Sequence, residues 1–341
     1  MPVNELPFGK KSAATMNDWR TDLNVNSADR PIHLHDPILT IGSCFSQAIG
    51  QHLDDNKFNV TINPFGTVYS PLSIHYLLKV ASGLGEVSEG DFLVHQEVHY
   101  HYQFHSSFAS LSRQELAQQI SRAVNKVNHF ISTARFVIIT YGTAWTYKRK
   151  DTAQWVANCH KVPSTYFSKE LLLIEDMENS FDEIHSALKA VNPAIQIIVT
   201  VSPVRHLKDT IELNSVSKST LRLFCHKLSQ RPGVDYFPAY EIMMDDLRDY
   251  RFYQEDRIHP TNEAEEYIWQ KFVQRYFESE TKTFLSEWQE IKHALAHRSL
   301  FPSTTHHQSF LKATLTKLQA IQNKVDVSNE ITFVKNQIST P

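Results

Sequence analysis

Ile41-Gly42-Ser43-Cys44-Phe45 puts a thiol where an apolar run, Pro37 to Gly42, hands over to a helical pattern from Cys44 to Asp55. Unpaired backbone N–H groups at a helix start, and the positive end of its dipole, both favour the thiolate, the nucleophilic form of cysteine. The same N–H groups are suited to hold an oxyanion. A small thiol also packs well in a core, so position alone leaves a structural role for Cys44 open. Asp256-Arg257-Ile258-His259-Pro260 supplies a carboxylate and an imidazole on a loop just before a helical run. A carboxylate beside an imidazole orients it and stabilises its charged form, as a general base requires. Asp-x-x-His is short, and a solvated surface pair has the same pattern.

Other residues compete for chemistry. His99, His101 and His105 have one parity, which His95 and Glu97 share, so an unbroken strand through residues 95–105 would gather imidazoles on one face as metal ligands. A hairpin covering a cleft favours the same residue types, and His105, next to Ser106-Ser107, would then line that cleft. Asn158-Cys159-His160 offers a rival thiol, although adjacent strand residues point to opposite faces. Cys225 lies in a helical apolar run and reads as packing. Arg205 and His206 follow a buried strand. Arg205 suits a bidentate grip on a carboxylate or phosphate; the alternative is a salt bridge to Asp209 or a neighbouring loop. Arg248 to Arg251 reads as scaffold for the Asp256 loop.

The elements that must position these residues alternate. Short β-branched runs (Pro37–Gly42, Phe58–Ile62, Arg135–Tyr141, Ile195–Val201, Val234–Phe237) are separated by helical patterns at Cys44–Asp55, from Pro71, Gln114–Ile131, Leu171–Val191, Ser217–Arg231 and Asn262–Phe277. That order predicts a parallel sheet with helices on both faces, a three-layer α/β/α domain of flavodoxin-like type over residues 37–279. Gly83 to Phe108 reads as a hairpin or covering loop, and Thr143 to Ser168 as irregular. Residues 1–36 form a polar, irregular segment with anchors such as Phe8 and Trp19. Residues 280–341 form a helical extension, broken near Pro302, that serves as cladding or as an arm for a homodimer. In 341 residues, 34 Lys+Arg against 37 Asp+Glu give a net charge of -3, which offers no electrostatic case for nucleic acid as partner. No apolar run is long enough for a membrane span. The opening residues lack the apolar core of a secretory signal, and three cysteines cannot build a disulfide framework, so a cytoplasmic protein is expected.

Gly42-Ser43-Cys44-Phe45 together with Asp256-x-x-His259 resembles the GSCFA family, a branch of the SGNH/GDSL-type hydrolases. Asn63-Pro64-Phe65-Gly66-Thr67, Tyr141-Gly142-Thr143-Ala144-Trp145, Asn158-Cys159-His160-Lys161, Ser202-Pro203-Val204-Arg205-His206 and Arg248-Asp249-Tyr250-Arg251-Phe252-Tyr253 fit it too, over residues 30–280. The resemblance implies a nucleophile at Cys44, or one residue earlier at Ser43, with His259 as general base and Asp256 orienting it. It implies an oxyanion N–H from Gly66 and a third block at Gly142, where the expected asparagine is missing; Asn158 is a candidate replacement. The implied function is a hydrolase or acyl transferase acting on an ester of a small molecule or a glycan, with no metal or organic cofactor. The altered third block equally suits a ligand-binding domain that has kept a hydrolase fold, and a thiol-redox or metal-binding protein is a third class.

Overall fold

The computed structural model describes residues 22–338. Phe8, Trp19 and most of the irregular N-terminal segment lie outside the described residues. The chain runs β1 (Ile38–Gly42), α1 (Cys44–Asp55), β2 (Val60–Ile62), α2 (Pro71–Ala81), β3 (Phe92–His95), β4 (Val98–His101), α3 (Arg113–Thr133) and β5 (Phe136–Tyr141). It continues through β6 (Trp145–Arg149), β7 (Trp155–Val156), β8 (Phe167–Leu171), α4 (Ile174–Val191), β9 (Gln196–Val201), α5 (Ile211–Leu228) and β10 (Val234–Phe237). A short turn, α6 (Ala239–Glu241), leads to α7 (Asn262–Tyr276), α8 (Ser279–Ala296), α9 (Thr305–Ile321) and α10 (Ser328–Gln337).

Every residue of β1, β5 and β9 is buried, as in a parallel sheet covered on both faces. The order β10-β9-β5-β1-β2, all parallel, is the doubly wound order of flavodoxin-like sheets. The period-2 alternation of strand side chains divides them between two cores. Leu39, Ile41, Val137, Ile139, Val199 and Val201 meet α2, α3, α4 and α5. Ile38, Phe136, Ile138 and Ile198 meet α1 and α7 on the other face. The three-layer α/β architecture expected from the sequence is the one observed.

Three local expectations are corrected. The stretch read as irregular forms an antiparallel sheet of β7, β6 and β8; its strands mix Lys and Arg with aromatics, so no apolar alternation marks them. α5 begins at Ile211, not Ser217, because the Thr210 side chain caps it, accepting from the Leu213 N–H at 3.4 Å. The exposure of Ile211, Leu213 and Val216 hides that first turn from a reading based on apolar faces. Residues 95–105 are not one strand: Gln96 and Glu97, both at positive φ, turn β3 back onto β4.

The C-terminal helices bury Phe284, Trp288, Ile291, Leu311 and Leu318 among themselves. They dock on the far end of α1, where the Trp288 Nε1–H donates to Asp55 O at 2.8 Å and the Lys292 ammonium to Asn56 Oδ1 at 3.0 Å. No helix among the described residues is long and apolar enough to cross a membrane.

Candidate active site

In open α/β sheets ligands bind beyond the carboxyl ends of the strands, where the strand order reverses. Here that point lies between β1 and β5, and the residues just past both strands are Gly42-Ser43-Cys44 and Gly142-Thr143. Gly42 sits at φ +138° with Thr140 O where a Cβ would be, 2.2 Å away, so only glycine lets the two strands approach. Asn63 fixes the turn: its Oδ1 accepts the Gly42 N–H at 3.0 Å. Ser43 precedes α1 with its N–H on Thr140 O, and its hydroxyl, at 1% exposure, caps nothing and has no hydrogen-bond partner among the described residues.

Cys44 opens α1 half-buried. Burial pushes its thiol up, while its own backbone N–H and that of Phe45, with the Lys218 ammonium, pull it down; Glu265 pushes it up further. The thiol lines a cleft of about 380 Å³ together with His259, Tyr69, Trp145, Tyr147, Arg205 and His206. His259 Nδ1 meets Asp256 Oδ2 at 2.7 Å, and Asp256 Oδ1 accepts the backbone N–H groups of Ile258 and His259 at 2.8 and 3.0 Å. The His259 hydrogen bond first, then those two N–H groups, hold the Asp256 carboxyl down at about 2. With Nδ1 taken, Nε2 is the free end of the His259 ring.

The other expected residues lie elsewhere. The Gly66 N–H donates to Asn63 O at 2.8 Å within its own turn, and its Cα packs on the His105 ring. His105 pairs with Ser107 and does not line the cleft. The Gly142 N–H donates to Tyr69 O at 2.9 Å, so it is not a free oxyanion donor. Asn158 Oδ1 accepts the His160 N–H at 2.8 Å in a tight turn. Burial pushes the Cys159 thiol up to about 11, which disarms it as a rival nucleophile, and Cys225 is fully buried. His101 is core, its Nε2 on Ser88 O at 3.0 Å. Among the described residues no three His, Cys, Asp or Glu side chains are grouped to hold a metal ion. Arg205 does line the cleft. Its guanidinium stacks at 3.9 Å over the ring of Tyr253, just past the expected scaffold segment, and Asp209 pairs instead with Lys169.

Two further contributors, Lys218 and Glu265, were not legible beforehand. Lys218 reaches from α5 at 1% exposure, its ammonium donating to Gly142 O at 2.9 Å and Ser202 O at 2.7 Å. Burial brings it down to about 7. His206 meets Tyr69 edge-on, centroids 5.7 Å apart, and burial keeps it neutral, at about 4. Glu265, on α7, acts electrostatically on both Cys44 and His259. A lysine or glutamate on a helix is ordinarily a solvated residue, so nothing in their local sequence marks them.

A second cavity, of about 310 Å³, lies at the opposite, amino edge of the sheet against Gln196, Gly233 and Asp235. Arg275 and Tyr276 are paired with Asp235 there, and its lining includes neither cysteine nor histidine.

The model of the GSCFA family matches residues 37–272. That of the GSCFA domain protein, C-terminal domain, matches residues 288–340, in the tail beyond the motifs quoted above. No curated protein matches the chain.

Proposed function

We propose that this chain, which belongs to the GSCFA family, is a hydrolase or acyl transferase of the SGNH/GDSL type that opens an ester or related acyl bond through Cys44. The observation that carries the reading is one cleft lined by both Cys44, at the start of α1, and His259, whose inner nitrogen is held by Asp256. Cys44 is preferred to Ser43 because the Ser43 side chain is buried and the Cys44 thiol is not closed off.

His259 Nε2 takes the thiol proton as Sγ attacks the acyl carbon, and the carbonyl oxygen becomes an oxyanion. The leaving alkoxide departs with the proton from His259, leaving a thioester on Cys44. Water, or an acceptor hydroxyl, then gives its proton to His259 and attacks the thioester, and the thiol is restored. Asp256, ionised throughout, stabilises the imidazolium of both steps. The N–H groups of Cys44 and Phe45, which support the thiolate beforehand, are the donors at hand for the oxyanion. The Gly66 N–H, already on Asn63 O, does not serve. A reducing, cytoplasmic setting suits a free thiol in this role. A homodimer through the C-terminal helices would use the exposed Leu300 and Phe301, and sedimentation of the wild type against Leu300→Ser/Phe301→Ser tests it.

A ligand-binding domain without turnover is the second reading, favoured by the upward push of burial on the Cys44 thiol. Intact-mass spectrometry after brief exposure to p-nitrophenyl acetate separates the two. The expected result is one acetyl adduct on wild type and Ser43→Ala, absent in Cys44→Ala and slowed in His259→Ala by about 10²-fold or more. An adduct that survives Cys44→Ala overturns the mechanism.

A further inference from the structure

The charges along the cleft are one-sided. Lys169, Arg205 and Lys208 line it against a single carboxylate, Asp209, and Lys169 already pairs with that group. Among the described residues neither Arg205 nor Lys208 forms an ion pair with a carboxylate. Arg205 is held without being neutralised: its guanidinium lies on Tyr253 at 3.9 Å, and its backbone N–H donates to Ile258 O at 3.2 Å, beside His259. Stacking occupies a face of the guanidinium and one bond goes to Tyr253, which leaves further N–H donors of the planar fork for a ligand. Across from it, Trp145 and Tyr147 stand two residues apart on β6 and so share a face. Trp145 is fixed there by its Nε1–H on Leu213 O at 3.0 Å.

We propose that this cleft takes an anionic acyl compound, its carboxylate or phosphoryl group held by Arg205 with Lys208 at the rim and its apolar part against Trp145 and Tyr147. The inference deepens the function proposed above, and rests on it only for which bond is broken. A neutral ligand returns only neutral hydrogen bonds to the two cations, whereas an anion is drawn in by their field and held by charge-assisted ones.

Charge selection can be read on the Cys44 thiol itself, without turnover. The full-length chain is alkylated with iodoacetate, which is anionic, and with iodoacetamide, which is neutral and similar in size, and Cys44 is followed by peptide mapping. The expected ratio of iodoacetate to iodoacetamide rates exceeds that of N-acetylcysteinamide about five- to tenfold at low salt. It falls towards the small-thiol value in Lys208→Gln, in Arg205→Gln and in 1 M NaCl. Lys208 is exposed, so its substitution guards against a misfolded Arg205 variant. At equal ionic strength, succinate or inorganic phosphate is then added as competitor, and whichever slows iodoacetate names the group. A ratio equal to that of the small thiol, or one that Lys208→Gln and salt leave unchanged, overturns the proposal. So does a Cys44 that neither reagent reaches, or a rate that neither competitor slows. Charge selection with no acetyl adduct would leave this proposal standing and remove the hydrolase.

Discussion

Lys218 is buried, its ammonium donates to the carbonyl oxygens of Gly142 and Ser202, and it lies close enough to Cys44 to act on the thiol. One prediction follows from the charges around that sulfur. Glu265→Gln removes a negative neighbour, so the pH at which Cys44 alkylates falls. Rates of iodoacetamide labelling from pH 7 to 10 check the sign, and an unchanged or higher pH would refute the electrostatic account. The same lysine links stability to pH. Its folded value, about 7, lies below the ordinary 10.5, so between the two the unfolded chain binds the extra proton. Stability therefore rises with pH across that window, by at most about 1.4 kcal/mol per pH unit, and is flat in this term below it. Urea unfolding of wild type and Lys218→Met should show the wild type gaining on the variant between pH 7 and 10.

The turn between β1 and α1 depends on β2 and the residues that follow it. Asn63 accepts the buried Gly42 N–H, and the Val68 N–H donates to Gly42 O at 2.9 Å. Asn63→Ala leaves the Gly42 N–H unpaired and should cost about 1–3 kcal/mol in urea unfolding. Asn63→Asp keeps the shape and the acceptor, loses only the long donation from Nδ2 to Ser43 O, and should cost less. Equal losses would refute the accepted Gly42 N–H as the source of the stabilisation. This dependence shows how much the sequence carried. The strands β1, β5 and β9 and the helix from Cys44 were legible because burial on both faces demands continuous β-branched runs and because apolar residues recur at helical spacing. Cys44, Asp256 and His259 were legible because a thiol at a helix start and a carboxylate near an imidazole are local patterns. Asn63-Pro64-Phe65-Gly66 was recognisable as a motif, yet its work is to hold the Gly42 turn, not to offer the Gly66 N–H. Arg205 and His206 were legible from their place just past a buried strand, whereas Lys218 and Glu265 reach the site from α5 and α7, so only the fold brings them in. Antiparallel strands such as β6, half-exposed and rich in Lys and Arg, carry no apolar alternation to read.

On the scale of the molecule, α1 spans the distance between two regions. Its 12 residues make a rod about 18 Å long, with Cys44 at one end and Asp55 and Asn56, which hold Trp288 and Lys292, at the other. Lys57, just past the helix, adds an ion pair to Glu330 at 2.6 Å and lies over the Trp288 ring. Trp288 is therefore both the core of the C-terminal helices and their bond to the α/β layers. Trp288→Ala removes that bulk and should cost about 3–5 kcal/mol, read as a lower thermal midpoint and as early proteolytic cleavage within residues 280–338. The groups that tune Cys44, by contrast, lie in the first turn of α1, on α5 and on α7. Labelling of Cys44 by iodoacetamide below the transition should then stay within about twofold of wild type, since independent sites add their effects without coupling. A large change in labelling would show instead that the tail reaches the thiol through α1, and the C-terminal helices would then be a part of the site.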